Sequence, residues 1–212
     1  MILGIIPAGG KAKRFGGYPK EMLPYDNNNV LLDRTVTAMC FGGAGAYLVL
    51  TTKDKIAAHA GRLGAGYDFR ISQDTLWKSL KISFGYKASW NLFAMPDTYY
   101  PQDIFDRPEM HQTDFNIGYF ETIRPERFGV IQDGQIYDKY DFDSGNYMAW
   151  GALCWSEKVV RFWIDHISEI KNHTDAFNLA MKEYGYTLCR MDYYHDMASW
   201  GDYEKFVTGL EW

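Results

Sequence analysis

Residues 1–24 constrain this chain more than any other stretch: MILGIIPAGGKAKRFGGYPKEMLP. A short apolar run, Ile2 to Ile6, enters a glycine turn at Gly9-Gly10. Arg14 stands four positions on, and Lys20, set behind Pro19, six after that. Such a run reads as a buried strand, and the turn it feeds offers bare backbone N–H groups to a phosphate. The two cations can meet the charge that the backbone leaves uncovered. Two better-known phosphate loops are excluded. No G-x-x-x-x-G-K-[ST] string occurs, and Gly9-Gly10-Lys11-Ala12 breaks the spacing of the dinucleotide fingerprint G-x-G-x-x-G.

Behind this opening, strand and helix patterns alternate, which points to a parallel α/β sheet. The expected strands are Ile2–Ile6, Ala46–Thr51, Tyr67–Ile71 and Asn91–Met95, the last stopped by Pro96. Helices are expected over Leu31–Cys40, stopped by Gly42-Gly43, and over Asp54–Leu63, ended by Gly64. Leu76, Leu80, Phe84 and Ala88 recur every four residues and predict a third helix, opened by Asp74 or Thr75. The middle changes character. Arg127–Gln132 and Gln135–Tyr140 flank Asp133-Gly134, a hairpin signal, and Tyr147–Trp155 reads as a further strand. Val160, Trp163, Ile164 and Ile167 then share one helical face, and Phe177, Ala180, Met181 and Tyr184 another. A late strand, Tyr186–Asp192, and a short helix, Asp202–Leu210, capped by Asp202, close the pattern. A length of 212 residues suits one sizeable core, so a single domain over 1–212 is expected.

Charge and composition exclude several classes. With 22 Lys and Arg against 27 Asp and Glu, the net charge of −5 argues against a nucleic-acid binder that relies on a basic face. A local basic pocket survives in Lys11, Lys13, Arg14 and Lys20. Cys40, Cys154 and Cys189 are odd in number and widely spaced, with no C-x-x-C pair, so they read as reduced and mostly buried rather than as a zinc or disulfide framework. The first apolar run is too short for a signal peptide, and no stretch approaches the ~20 residues of a membrane span. A cytoplasmic location without a membrane partner is the expectation. Aromatic residues make up 17% of the chain. Their faces suit sugar or base rings, core packing and the contacts of a homo-oligomer alike. The histidines show no metal spacing and read as structural; no G-x-S-x-G nucleophile turn is present.

One position carries chemistry on its own account. Asp97 follows the fourth expected strand, and in doubly wound sheets ligands sit beyond the carboxyl ends of the strands, so its carboxylate faces the same cleft as the glycine turn. An Asp after a proline is also a common turn residue.

The opening resembles that of the sugar-1-phosphate nucleotidylyltransferases of the glucose-1-phosphate thymidylyltransferase and uridylyltransferase type. Their pattern is G-G-x-G-[ST]-R, a few residues, P-K, then an apolar turn of the type M-L-P. Gly9, Gly10, Arg14, Pro19, Lys20 and Met22-Leu23-Pro24 match; Ala12 replaces a glycine and Lys13 a serine or threonine. The resemblance extends thinly over the chain, without the hexapeptide repeats that add a β-helix to some relatives. It implies a Rossmann-like three-layer sandwich of the nucleotide-diphospho-sugar transferase, or glycosyltransferase-A, type. The sheet would be mixed and mostly parallel with an inserted β-hairpin, residues 1–100 holding the nucleotide and 101–212 the acceptor. The implied reaction joins an NTP and a sugar 1-phosphate, giving an NDP-sugar and pyrophosphate with Mg²⁺ as cofactor.

The same resemblance distributes roles. Arg14 and Lys20 would be catalytic; Ala8, Gly9, Gly10, Lys11 and Lys13 would cradle the triphosphate, and Gln73 would read the base edge, unless it is a solvated loop amide. Asp97 and Asp196 would hold the metal. Asp196 lies in HDMASWGDYEKF, which resembles D-[IV]-G-T-x-x-D-Y with Met197-Ala198-Ser199 in place of I-G-T. On the acceptor side, RFGVIQDGQIYDKY resembles R-F-G-V followed by E-K-P. Gly129, Asp138, Lys139, Asn146 and Gly151 would line the sugar site, although charged residues on a hairpin are often merely solvated. Three other readings stay open: a cytidylyltransferase for an alditol or choline phosphate, a non-catalytic nucleotide-binding relative, and a glycosyltransferase whose only D-x-D string is Asp141-Phe142-Asp143.

Overall fold

In the computed structural model, residues 1–64, 66–139 and 142–209 are described. The strands are β1 (Ile2–Pro7), β2 (Ala46–Thr51), β3 (Tyr67–Ile71), β4 (Trp90–Ala94), β5 (Thr98–Tyr99), β6 (Phe115–Thr122), β7 (Gly129–Gln132), β8 (Gln135–Asp138), β9 (Tyr147–Ser156), β10 (Thr187–Arg190) and β11 (His195–Asp196). The helices are α1 (Leu31–Phe41), α2 (Ile56–Leu63), α3 (Leu76–Leu80), α4 (Glu157–Asp165), α5 (His173–Tyr184) and α6 (Trp200–Thr208).

Nine strands form one sheet, in the order β10-β6-β9-β4-β1-β2-β3, with the β7–β8 hairpin joined to β9. β1 pairs in parallel with both β2 and β4, so its two faces must both be covered. Alternation along β1 supplies each face: Leu3 and Ile5 enter one buried cluster with Trp77, Trp163 and Phe177, while Ile6 enters another with Leu32, Ala38 and Met39. Helices α3, α4 and α5 therefore cover one side and α1 the other, which is the expected three-layer sandwich. β9 runs antiparallel to both β4 and β6 and makes the sheet mixed. Asp133 and Gly134 both have positive φ, 51° and 73°, the geometry of a tight hairpin turn whose hand matches the twist of β7 and β8.

Several boundaries depart from expectation. The third helix ends at Leu80 and continues only as a 3-10 turn over Lys81–Gly85. The Ser83 hydroxyl donates to the Leu80 carbonyl at 2.7 Å and competes with the helical ladder, and Gly85 is a poor helix former. Phe84 and Ala88 still pack on the core, so their four-residue period marks burial rather than helix. On α4 the buried face is Val159, Val160 and Trp163; Ile164 and Ile167 are exposed. The last helix is capped by Ser199, whose hydroxyl accepts from the Asp202 amide at 3.2 Å, rather than by Asp202. The late strand is confined to Thr187–Arg190. Tyr140, Asp141 and Leu210, which bear on the second hairpin strand, the D-x-D string and the final helix, lie outside the described residues. Among the described residues no helix is long and apolar enough to cross a membrane.

Candidate functional site

β1 lies between β2 and β4, so chain connections leave it in opposite directions and open a cleft beyond its carboxyl end. Three adjoining cavities fill that cleft and share Met95. The first, about 310 Å³, is lined by Asp97, Arg127, Gly129, Trp150, His173 and Asp196 among others. The second, about 240 Å³, lies between Gly9, Gly10, Gln73 and Thr75. The third, about 260 Å³, joins them beneath Ala8, Gly10, Ala12, Lys20 and Asp97.

The glycine turn lines two of these cavities. Gly9 packs against Ser72, where a Cβ would collide, whereas nothing lies within 4 Å of a Cβ built on Gly10. Ala12 adopts φ 46° and ψ 38°, a left-handed conformation natural to glycine. The backbone path thus survives the Ala12 replacement at some strain. Lys11, Lys13 and Arg14 are exposed on this loop, and none pairs with an acid among the described residues. Gln73 is exposed at the rim of the second cavity, its side-chain amide donating to the Ile71 carbonyl at 3.3 Å.

Lys20, in a 3-10 turn that follows Pro19, forms an ion pair with Asp97. Burial opposes its charge, but Asp97, Asp196 and Glu21 together raise its pKa above the ordinary lysine value. Asp196 reaches the same place from the far end of the chain. β5 and β11 pair antiparallel, with Asp196 opposite Thr98, and the Met197 amide donates to the Asp97 carbonyl at 3.2 Å. Burial and the neighbouring Asp97 push the Asp196 carboxyl above its ordinary pKa, against the pull of Lys20 and Arg127.

The acceptor side separates the expected residues. Gly129, Asp138 and Lys139 line the first cavity. A Cβ on Gly129 would strike the Trp150 indole nitrogen, which is buried without a hydrogen-bond partner among the described residues. Asn146 does not join them: it is exposed and donates to Glu121 at 3.1 Å. Gly151 is buried against the Tyr194 ring and the Met191 methyl, so it seats Tyr194, a lining residue, rather than lining the cavity itself.

Two residues were given no role by the sequence. Arg127 donates to Asp196 at 2.8 Å and to Asp202 at 3.3 Å, lying between two acids on separate elements. Its signal is the arginine of R-F-G-V. His173 opens α5 and lies 3.7 Å from Asp138; burial lowers its pKa, with Asp138 opposing. No local signal distinguishes it, because the contact joins positions 35 apart in sequence only through the fold.

The donor set suits a magnesium ion. Mg²⁺ takes one or two carboxylates and completes its shell with water and phosphate oxygens. Asp97 and Asp196 supply two facing acids in one cavity. Among the described residues no group of three or more His, Cys, Asp or Glu could hold a metal unaided, so substrate oxygens would have to complete the shell.

No family model and no curated protein matches the sequence. A solved structure from Bacillus anthracis, provisionally described as a glucose-1-phosphate thymidylyltransferase in complex with sucrose, is similar with a TM-score of 0.84 and 19% sequence identity. The match covers 99% of this chain and 95% of that one. At that identity the likeness speaks to architecture alone: the chain has a Rossmann-like α/β sandwich of the kind found in that nucleotidyltransferase-type neighbour.

Proposed function

We propose that the chain is a nucleotidylyltransferase that joins an NTP to a sugar 1-phosphate and releases pyrophosphate. One observation carries the reading: Lys20, Asp97 and Asp196, from the first, middle and last parts of the chain, share one cleft with the Gly9-Gly10 turn.

A phosphate oxygen of the acceptor attacks the α-phosphorus in line with the departing pyrophosphate. Both reactants are anions and repel each other in water, so the task is to align them and neutralise growing charge. The amides of the glycine turn and the exposed Lys11, Lys13 and Arg14 receive the leaving phosphates. Lys20 moves from Asp97 onto the α-phosphate as the substrates enter. Gln73 faces the base across the second cavity. Lys139 meets the acceptor phosphate, and Asp138, beside His173, accepts from a sugar hydroxyl. Asp97 and Asp196 would hold Mg²⁺, which when bound would supply charge neutralisation for the phosphate oxygens. No general base is required, since a phosphate monoester is already ionised near neutral pH.

The test is a matrix of four NTPs against glucose 1-phosphate, other hexose 1-phosphates, an alditol phosphate and choline phosphate, read as pyrophosphate release with Mg²⁺. Release with one NTP and a sugar 1-phosphate is expected. Release with the alditol or choline phosphate alone would move the acceptor class, and NTP binding without release from any pair would remove the enzyme reading.

A further inference from the structure

Behind the glycine turn lies a chain of buried polar groups that the proposed chemistry does not use. The Thr51 hydroxyl is 2.9 Å from His59 Nδ1, and His59 Nε2 is 2.8 Å from Glu21 Oε1. Lys55 Nζ donates to the same Glu21 oxygen at 3.0 Å and to the Ala8 carbonyl at 3.2 Å. All four side chains are buried, none more than 4% exposed. Both ring nitrogens of His59 are therefore engaged, Nε2 by the carboxylate and Nδ1 by the Thr51 hydroxyl. Glu21 and Lys55 then cancel in charge.

Such a cluster is a weak source of stability, because well-packed apolar side chains of similar volume generally do as well. What it supplies is direction. Lys55 fixes the carbonyl of Ala8, immediately before Gly9, and so sets the orientation of the turn whose glycines line the cleft. Glu21 is the chain neighbour of Lys20 and shares its 3-10 turn. The two pieces that must be held in register, the turn and Lys20, are therefore tied through a single carboxylate oxygen.

We propose that Glu21, Lys55 and His59 form a positioning brace that sets Lys20 against the glycine turn through the Ala8 carbonyl, so that the cation is delivered to the α-phosphate. Its catalytic meaning rests on the nucleotidyl-transfer reading above; its structural content does not.

The experiment uses the full chain and the double variant Glu21→Gln/Lys55→Met, which removes both buried charges together and keeps the side-chain volumes close. Folding is checked by thermal melting. Lysines are labelled by reductive methylation, and the Lys20 rate is read by peptide mass spectrometry against exposed Lys158. Lys20 labelling is expected to rise about threefold or more, as its amine leaves the contact with Asp97 that shields it from the reagent. With the productive NTP and acceptor, kcat is expected to fall about 100-fold while KM for the NTP changes little, the split of a misplaced group rather than a lost binding contact.

An unchanged Lys20 rate in the folded double variant overturns the brace. If that variant does not fold, Thr51→Val, which removes only the terminal hydroxyl, decides: a smaller rise in Lys20 labelling supports the brace and an unchanged rate overturns it. Because labelling needs no substrate, the two readings fail separately. A wild-type protein that releases pyrophosphate from no pair removes the enzyme reading and leaves the brace to the labelling result.

Discussion

The two sides of the cleft are built differently. The turn side rests on β1, paired on both edges, and on a buried brace in which every polar atom named above has a partner. On the reading proposed above, its ligand-facing groups would be mostly backbone amides, whose direction does not depend on a rotamer. The proposed acceptor side rests on a hairpin attached to β9 by two residue pairs, and it faces the cavity with charged and polar side chains: Arg127, Asp138, Lys139 and His173. Asp138 is one-third exposed, and its approach to His173 is longer than a hydrogen bond. On the proposed reading, the contrast teaches that a triphosphate would be met by fixed backbone and a sugar by groups that adjust.

The harshest way to break this comparison is to remove the charges at the centre. Lys20→Ala and Asp97→Ala are each expected to lower turnover about 100- to 1,000-fold, as for loss of a preorganised charge stabiliser. Pyrophosphate release by the purified variants measures it, and undiminished release would sink the assignment.

Next come two carboxylates that answer pH in opposite senses. Burial alone would raise the pKa of Glu21, but the His59 hydrogen bond and the Lys55 charge bring it below its ordinary value. It therefore stabilises the fold at neutral pH, and that contribution is lost as pH falls through the carboxyl range, around pH 4 and below. Glu21→Gln should cost about 3 kcal/mol at pH 7, because it leaves Lys55 buried without its partner. Asp196 is raised, so the folded state binds its proton more tightly than the unfolded chain does. Its ionised form costs stability at neutral pH, and the cost is relieved as pH falls through its folded pKa. Asp196→Asn should raise the melting temperature at pH 7, with the gain shrinking toward acid, while activity is lost. Melts of both variants across pH 4 to 8 test the pair, and equal slopes would erase the distinction.

A third probe is steric. Gly129→Ala forces a Cβ against the Trp150 indole and should destabilise by about 1–3 kcal/mol, the usual penalty for overpacking. The acceptor KM should rise more than the NTP KM if the cavity wall is displaced. The mildest change is Ala12→Gly, which relieves a left-handed alanine at the price of a more flexible unfolded chain. A gain of about 0.5 kcal/mol by denaturant titration is expected. A loss would mean that the methyl of Ala12 is contributing to packing.

The turn side was also the legible side. β2 and β3 match their expected bounds, and β1 and β4 lie within one residue of theirs, because short apolar runs bounded by Gly and Pro carry their own signal. β6 was not anticipated at all. Phe115–Thr122 follows a stretch of short 3-10 turns, and its alternation is blurred because β9 and β10 cover both edges and the cores both faces. The pairing of Asp97 with Asp196 was anticipated only through resemblance; no pattern in either segment announces the other. Asn146 failed as a cavity residue because one exposed position on the loop before β9 was enough to turn it toward Glu121. Arg127 and His173 depend on contacts 69 and 35 residues away, which local pattern cannot supply.

The main sheet takes its last strand from Thr187–Arg190, yet the acidic pair is completed only by Asp196. The closing segment also fastens the opening one. Trp200 packs on Phe15 with ring centroids 4.8 Å apart, and the Tyr203 hydroxyl donates to the Pro24 carbonyl at 2.8 Å. During synthesis on the ribosome, a nascent chain can assemble its scaffold before the latch that finishes the cleft has emerged. A premature stop just after Arg190 would yield a chain with every strand of the main sheet and half of its acidic pair, so, on the proposed reading, the sheet and the finished cleft are completed by different parts of this polypeptide.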